Sequence, residues 1–575
     1  MAERILSPGV FSRENDLSFI TPAAAEISTA LVGPTAKGPV EIPTVVRSYG
    51  EYLNVFGGSF KSGSDYYTHF TTLAAQHYFE QGGTSLLVSR VAGSSSNTFA
   101  GATSNVTSGS TTLFTLETLA EGNIMNNSGS TSSNSSLVSG SSDNVRWEIT
   151  SANSSLGTFS LVIRRGDDNE KNKIVLESYQ NLSLDPNSPN YVSARIGDMT
   201  VSNTAGTITT TGDYANRSKY VRVSNVNVKT PDYFDNNGTA KTAYTVYFNT
   251  GLAGTSGSEY GAFTAGTGDL YNSVAAAFGS TTPTLTESQG VDPSSQYANI
   301  INTLANRDDY RFNVLLTPGL VYSTHSNIIS QFISMVENRG DAIYAIDPVY
   351  YAEGIADARS QATALNTSYG AAYWPWVKMR SSALGKDVWA PASTVIGGVY
   401  AFNDRVGAEW FAPAGLLRGG IPGITMAARK LSQTDRDNLY LDKVNPIATF
   451  PGSGVVAYGQ KTLQTKASAL DRVNVRRLLI NLKNFIGDQA NTLVFEQNTI
   501  ATRNRFLATV NPYLETVVQR QGLYAYRVVM DDTNNTADVI DRNMLVGQIF
   551  IQPTKTAEFI VLDFVVQPTG ATFNA

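Results

Sequence analysis

The sequence contains no cysteine and only three histidines, His69, His77 and His325. Without cysteine there are no disulfides and no thiolate metal sites, and folding in a reducing compartment is natural. Charge is sparse: 16% of residues are Asp, Glu, Lys or Arg, and the formal net charge is −6 with a pI near 5.3. A dedicated nucleic-acid binder needs a surplus of Lys and Arg to neutralise phosphates, so nucleic acid is not an expected partner. No apolar run is long enough to span a bilayer, and the opening MAERILSPGV lacks the apolar core of a signal peptide. A soluble, cytoplasm-made protein without direct membrane insertion is expected.

At 575 residues the chain is too long for one core and implies several domains. Strands are expected over Ile27–Val32 and Ser85–Val91, with helices over Ser48–Val55 and Tyr66–Phe79 between them. From Gly93 to about Gly290 the chain turns dense in Ser, Thr, Asn and Gly, with apolar islands VRWEIT, FSLVIRR, KIVLESY, YVRVSNV and YTVYF. Short strands spaced by turn signals predict an exposed all-β insertion of more than one subdomain. Its N-x-S/T triplets, at Asn134 and Asn153 among others, follow from the composition. After Asp292 helices and strands alternate: helices 296–306, 326–338 and 354–365, strands 312–317, 341–346 and 371–379. This alternation predicts a largely parallel sheet covered on both faces. Ser393 is a plausible N-cap for the helix that follows.

The last hundred residues organise the rest. Val475, Leu478, Leu479, Leu482 and Ile486 recur at the spacing of a helix with one buried face. A second such pattern, Phe506, Leu507, Val510, Leu514 and Val517, stops at Gly522, and strand-like runs follow over 523–530, 544–552 and 558–567. The final run is apolar on both alternating faces, with Ile560, Leu562, Phe564 and Val566 on one, so it needs cover on both sides. On the first helix Arg472, Arg476 and Lys483 share one flank beside the apolar face, where they are either a solvated edge or a cationic contact surface.

Phosphate and metal chemistry find little support. GVVAYGQKT (454–462) departs from the phosphate-binding loop by one inserted residue, which displaces the lysine and hydroxyl from their targets, and a hairpin accounts for its glycines. There is no HExxH and no EF-hand loop. No cofactor and no metal are expected.

The segments VNVRRLLINLKNFI, FEQNT, TRNRFL, VNPYL, DDTNNT and IFIQPTKTAEFIVLDF occur in this order. Together they resemble the C-terminal domain of contractile-tail sheath proteins, in particular those of large myovirus-type bacteriophages. SPGVFSREND, LVGPTAKGP and SYGEYLNVFGG look like the matching beginning, and WAPASTVIGGVYAFNDRVGAEWFAPAG also resembles the family. The resemblance runs from Ile5 to Val91 and from Asp292 to Phe573; the middle is without a named counterpart.

The resemblance implies a multidomain α+β protein. Residues 21–92 and 291–450 would form an α/β domain, subtilisin-like and non-catalytic, interrupted by the all-β insertion 93–290. Residues 451–575 would form a C-terminal α+β domain with exchanged terminal strands, and 1–20 an N-terminal exchanged arm. By the same resemblance Val10, Phe11, Ser12 and Arg13 are the strand donated to a neighbour. Ile560, Leu562, Phe564 and Val566 would lead into a C-terminal arm, and Arg472, Arg476 and Lys483 would touch the tail tube. The implied function is a structural subunit, not an enzyme, of a homo-oligomeric sheath. Stacked hexameric rings would surround the tail tube, meet baseplate and tail terminator proteins at the ends, and contract to drive the tube through the host envelope. The implied place is the virion tail, assembled in the host cytoplasm. A phage-derived contractile injection particle would use the same chemistry. A hydrolase on the subtilisin-like fold would need Ser393 and a histidine in a catalytic arrangement, and neither lies in a nucleophile motif.

Overall fold

The computed structural model describes residues 29–62, 65–92, 99–127, 136–249, 252–254, 260–267, 276–277, 297–382 and 385–558. Eight strands form its central sheet, in the spatial order Thr44–Val46, Leu86–Arg90, Thr29–Gly33, Val314–Val321, Ile343–Asp347, Gly370–Trp374, Val444–Phe450 and Gly454–Ala457. The six inner strands run parallel and the two outer ones antiparallel to their neighbours. Every residue of TALVG, LLVSR, IYAID and GAAYW is buried, as a sheet covered on both faces requires. Alternate residues divide between two cores. Leu31, Val88, Leu316, Ala345 and Tyr373 face helices Phe70–Glu80 and Ser393–Val406. Ala30, Leu87, Leu315, Tyr344 and Ala372 face helices Ala298–Ala305, Tyr322–Arg339 and Ile355–Thr363.

Several elements differ from expectation, each for a local reason. The stretch before Phe70 is a strand, Asp65–Thr68, paired with Phe60–Ser62, so the helix starts four residues later than its aromatic spacing predicts. His69 precedes that helix rather than lying on it, and Phe70 to Tyr78 are buried all round, so the helix is not amphipathic. The strand expected over 371–379 splits at Pro375, which has no N–H to continue a ladder. Val377–Arg380 pairs instead with Asp387–Ala390 and Ile424–Ala427. The hairpin Val444–Phe450/Gly454–Ala457 carries the main sheet past residue 450, the boundary expected for the α/β domain.

The insertion is one β-sandwich with a single core. Strands Gly101–Ser108, Thr111–Glu121 and Val221–Val226 belong to one four-stranded sheet, and Val145–Asn153, Thr158–Arg165 and Val175–Ser183 to the other. Across the gap Phe114 stacks on Phe159, and Trp147 Nε1 donates to Ser104 Oγ at 2.8 Å. YTVYF is helical within Thr242–Asn249, because Tyr244 and Phe248, one turn apart, both pack on Tyr233. The sandwich sits over the carboxyl ends of strands Thr29–Gly33 and Leu86–Arg90. There buried Arg90 donates to the carbonyls of Gly38 (2.6 Å) and Glu121 (2.8 Å), while the Glu121 carboxylate accepts the Val40 N–H at 2.9 Å. In open α/β sheets the crevice beyond the carboxyl ends of the strands is the usual ligand site; here the insertion covers it and leaves a cavity of about 800 Å³, lined by Lys37 and Gly38 on one side and Glu121 and Asp143 on the other.

Helix Ser393–Val406 presses onto the sheet because Gly397 and Gly398 have no side chain. A Cβ on Gly397 would lie 2.4 Å from Leu316 Cδ1, and one on Gly398 2.2 Å from His77 Nδ1. Burial pushes the His77 imidazole down to about 4, so it packs there neutral. Ser393 is the first helical residue rather than the cap. The buried carboxylate of Asp347, the last residue of its strand, takes the Ser393 N–H at 2.9 Å and the Ser393 hydroxyl, and so serves the helix N-terminus. Burial pushes Asp347 up to about 7 against the donors of Ser393 and Ala392. The folded chain thus holds a proton that the unfolded chain releases, so this group's contribution to stability falls as pH rises from the ordinary 3.8 to about 7. Asp347→Asn should flatten that slope in urea midpoints measured across this range. Asp347→Ala should lower stability by about 1–3 kcal/mol, because it leaves buried donors unmatched.

Candidate functional site

Helix Val473–Asn491 carries the basic flank, and its first half is buried on nearly every side. It lies in the seam between the α/β domain and a smaller core made with helix Ile500–Gln519. Arg476 lies flat on the Tyr369 ring, 4.1 Å from its centroid, and donates to Ser368 Oγ. Arg477 lies over Tyr400 at 4.7 Å and forms a two-pronged pair with Asp404 at 2.8 and 2.5 Å. Tyr400 shares a hydroxyl hydrogen bond of 2.7 Å with Tyr373 of the central sheet. Burial works against the Arg477 charge, and Asp404 outweighs it and holds the guanidinium above its ordinary value. From the other side Trp410 enters the smaller core, its indole N–H donating to the Arg520 carbonyl at 3.0 Å. Arginine on tyrosine, completed by a carboxylate, is therefore how the two domains are joined.

Arg472 caps the start of this helix, and its guanidinium faces Glu558. Nε donates to Oε1 at 2.7 Å and Nη2 to Oε2 at 3.0 Å. Gln460 Nε2 donates to the same carboxylate at 3.0 Å and to Thr556 Oγ1 at 2.7 Å, and the Tyr440 hydroxyl donates to Oε2 at 3.0 Å. Burial raises the Glu558 carboxyl, but these donors together outweigh it and hold it below the usual carboxylate range. A groove of about 620 Å³ runs beside this cluster, between residues 467–475 and 553–558.

Strands Leu523–Val529 and Gln548–Pro553 pair antiparallel, with Tyr526 opposite Ile551. Among the described residues neither has a second strand beside it, and a sheet edge of this kind is a template for a further strand. The inner face packs on helix Ile500–Gln519 through Leu523, Val528, Ile549 and Ile551. Tyr524 and Phe550 are exposed on the outer face.

The residues expected to act from sequence are thus placed unequally. Val10, Phe11, Ser12, Arg13, Ile560, Leu562, Phe564 and Val566 lie outside the described residues. Of the basic flank, Arg472 is held by Glu558 and Arg476 by Tyr369, while Lys483 is exposed, its ammonium 3.4 Å from the Tyr369 hydroxyl. The side chains of the GQKT segment face inward: Gln460 binds Glu558, Lys461 Nζ donates to the Tyr440 carbonyl at 2.8 Å, and Thr462 Oγ1 to that of Leu470 at 2.9 Å. The Ser393 hydroxyl points at a carboxylate, and His325 Nδ1 accepts the Val321 N–H at 3.1 Å. Sequence reasoning missed Glu558, Tyr440 and Tyr369. An acidic residue heading an apolar run is a weak signal, and no local pattern pairs it with an arginine 86 positions away.

Comparison with known proteins bears on the same region. The family described as phage tail sheath protein central domain matches residues 295–463, and the phage tail sheath C-terminal domain matches 465–567. The tail sheath protein of Vibrio phage KVP40 is 40% identical over 185 residues, and that of Enterobacteria phage T4 41% identical over 186. Each alignment covers 32% of this chain and 28% of the relative, so the matched part spans less than a third of those proteins. Among solved structures, a sheath tail protein from Listeria innocua has a similar fold, with a TM-score of 0.53 at 10% identity, covering 92% of this chain and 95% of that one. Central and C-terminal sheath domains thus match in series over residues 295–567, the stretch that holds the second part of the α/β domain, the long helices and the paired strands Leu523–Val529 and Gln548–Pro553.

Proposed function

We propose that the chain is the structural subunit of a contractile tail sheath, polymerising as stacked hexameric rings around a tail tube and shortening to drive it through the host envelope. The observation that carries this reading is the pair of sheath domains matched in series over the part of the chain that holds a two-stranded sheet with no third strand among the described residues. The phage origin of the curated relatives favours a virion tail, assembled in the host cytoplasm and bounded by baseplate and tail terminator proteins, over an injection particle. With no nucleotide site in the reading, energy for the stroke is stored in a metastable extended assembly and released into better-buried interfaces. The α/β domain serves as a subtilisin-like scaffold without catalysis, a role supported by the insertion over its strand ends and by the commitment of Ser393 to Asp347.

Subunits are linked by strand exchange. Residues Val10 to Arg13 of one neighbour and the run containing Ile560, Leu562, Phe564 and Val566 of another add to the open edges of the Leu523–Pro553 hairpin. Main-chain hydrogen bonds then supply affinity and alternate side chains supply register. The added strands also cover Tyr524 and Phe550. Full-length protein is expected to form striated hollow cylinders in negative-stain electron microscopy, and deleting residues 1–18 should abolish them. Cylinders of equal abundance from the deletion would overturn the exchange.

The tube contact narrows to Lys483, the exposed member of its flank, with Arg472 and Arg476 in the supporting layer. One surface charge contributes roughly 0.2–1 kcal/mol, but a sheath repeats it in every subunit. Lys483→Glu should weaken tube-templated assembly several-fold, more so at low salt, while leaving the monomer's melting temperature in place. Arg476→Ala should instead lower the melting temperature, because its guanidinium is buried against Tyr369.

A further inference from the structure

Terminal segments fray unless something ties them down. Here a tie lies at Glu558, just before the run that the strand-exchange reading sends to a neighbour. One carboxylate receives four donated hydrogen bonds: two from Arg472 and one each from Gln460 and Tyr440. The side chains of Arg472 and Glu558 are only 24% and 17% exposed, unlike a solvated surface pair. Two-pronged, charge-assisted bonds of this kind are strong and fix direction. Three separate stretches supply the donors: helix Gln433–Leu441, the segment after the Gly454–Ala457 strand, and the residue that opens helix Val473–Asn491. None belongs to the hairpin immediately upstream.

That placement has a mechanical consequence. Strand Gln548–Pro553 pairs on one side only among the described residues, and Thr554 adds a single backbone bond to Gly522. Tension arriving from beyond residue 558 would otherwise peel this strand from Leu523–Val529, breaking ladder bonds one after another rather than together. A fixed point at Glu558 stops the pull before it reaches the hairpin and passes it to the α/β domain, where Tyr440 and Gln460 are rooted. The carboxylate lies 86 positions from Arg472 in sequence, so this is a cross-link between distant parts of the chain.

We propose that the Glu558 clamp is the load anchor of the C-terminal segment: it diverts tension between subunits into the α/β domain and shields the hairpin that receives exchanged strands. The proposal rests on the strand-exchange reading above and adds to it the route that force takes. Glu558 is a positioning residue, acting on the path of the chain rather than on a partner.

The test uses full-length protein assembled around tubes, triggered to contract and counted by electron microscopy for broken sheaths. Glu558→Ala sheaths are expected to break on contraction several-fold more often than the unaltered protein, and Arg472→Lys, which keeps the charge but loses the second prong, to fall between them. In the free subunit, amide exchange over 523–553 should change little, because no tension acts there. Glu558→Ala or Arg472→Lys sheaths that contract as intact as the original would overturn the anchor. If Glu558→Ala does not fold, Arg472→Lys alone decides. A chain ending at Glu558 tests the underlying reading separately: if it assembles and contracts normally, strand exchange through the C-terminal segment is wrong, whatever the clamp variants do.

Discussion

A guanidinium buried between a tyrosine ring and a carboxylate is the interaction on which the rest of this structure depends. Arg477 is anchored to Asp404 and lies on Tyr400, which in turn bonds Tyr373 of the central sheet. Removing a charge from water costs several kcal/mol unless a partner and hydrogen bonds compensate. A matched set of this kind therefore tolerates little displacement of one domain against the other. Arg476 on Tyr369 and the Asn474 side chain donating to the Trp410 carbonyl add further contacts along the buried half of the long helix. The Glu558 cluster and the hairpin are both built on this seam.

A buried arginine secures the insertion as well, here by donating to backbone carbonyls. Arg90, at the end of its strand, reaches carbonyls of both the α/β domain and the sandwich, and Glu121 answers with its own backbone and carboxylate. A hairpin from the sandwich adds a second fastening: Asn203 Nδ2 donates to the Glu41 carbonyl and to Thr303 Oγ1, each at 2.8 Å. Lys37, paired with Asp143 at 3.5 Å, joins the two parts as well.

Much of this fold was legible in the residues. The alternation of helical and apolar stretches after Asp292 announced a parallel sheet, and TALVG and LLVSR are buried as such runs must be. Some readings failed on local chemistry, as at Pro375, and one because a tertiary contact overrode a local preference. YTVYF has the β-branched and aromatic content of a strand, yet Tyr233 draws Tyr244 and Phe248 to one side of a helix. The basic flank illustrates the limit for the site. Helical spacing correctly put Arg476 and Lys483 on one side, and both do reach Tyr369. Spacing says nothing about which face meets another domain, so it could not tell a surface patch from an internal joint. Glu558 was less legible still, since its partners come from three stretches that only the folded chain brings together.

Among the described residues the Leu523–Pro553 hairpin rests on helix Ile500–Gln519 and has no third strand at either edge. Edge amides and carbonyls need a partner, either water or backbone. Under the proposed strand exchange, the quantity that sets the stability of this region is how many copies are within reach. On that reading the smallest fully folded object is a neighbourhood rather than a molecule.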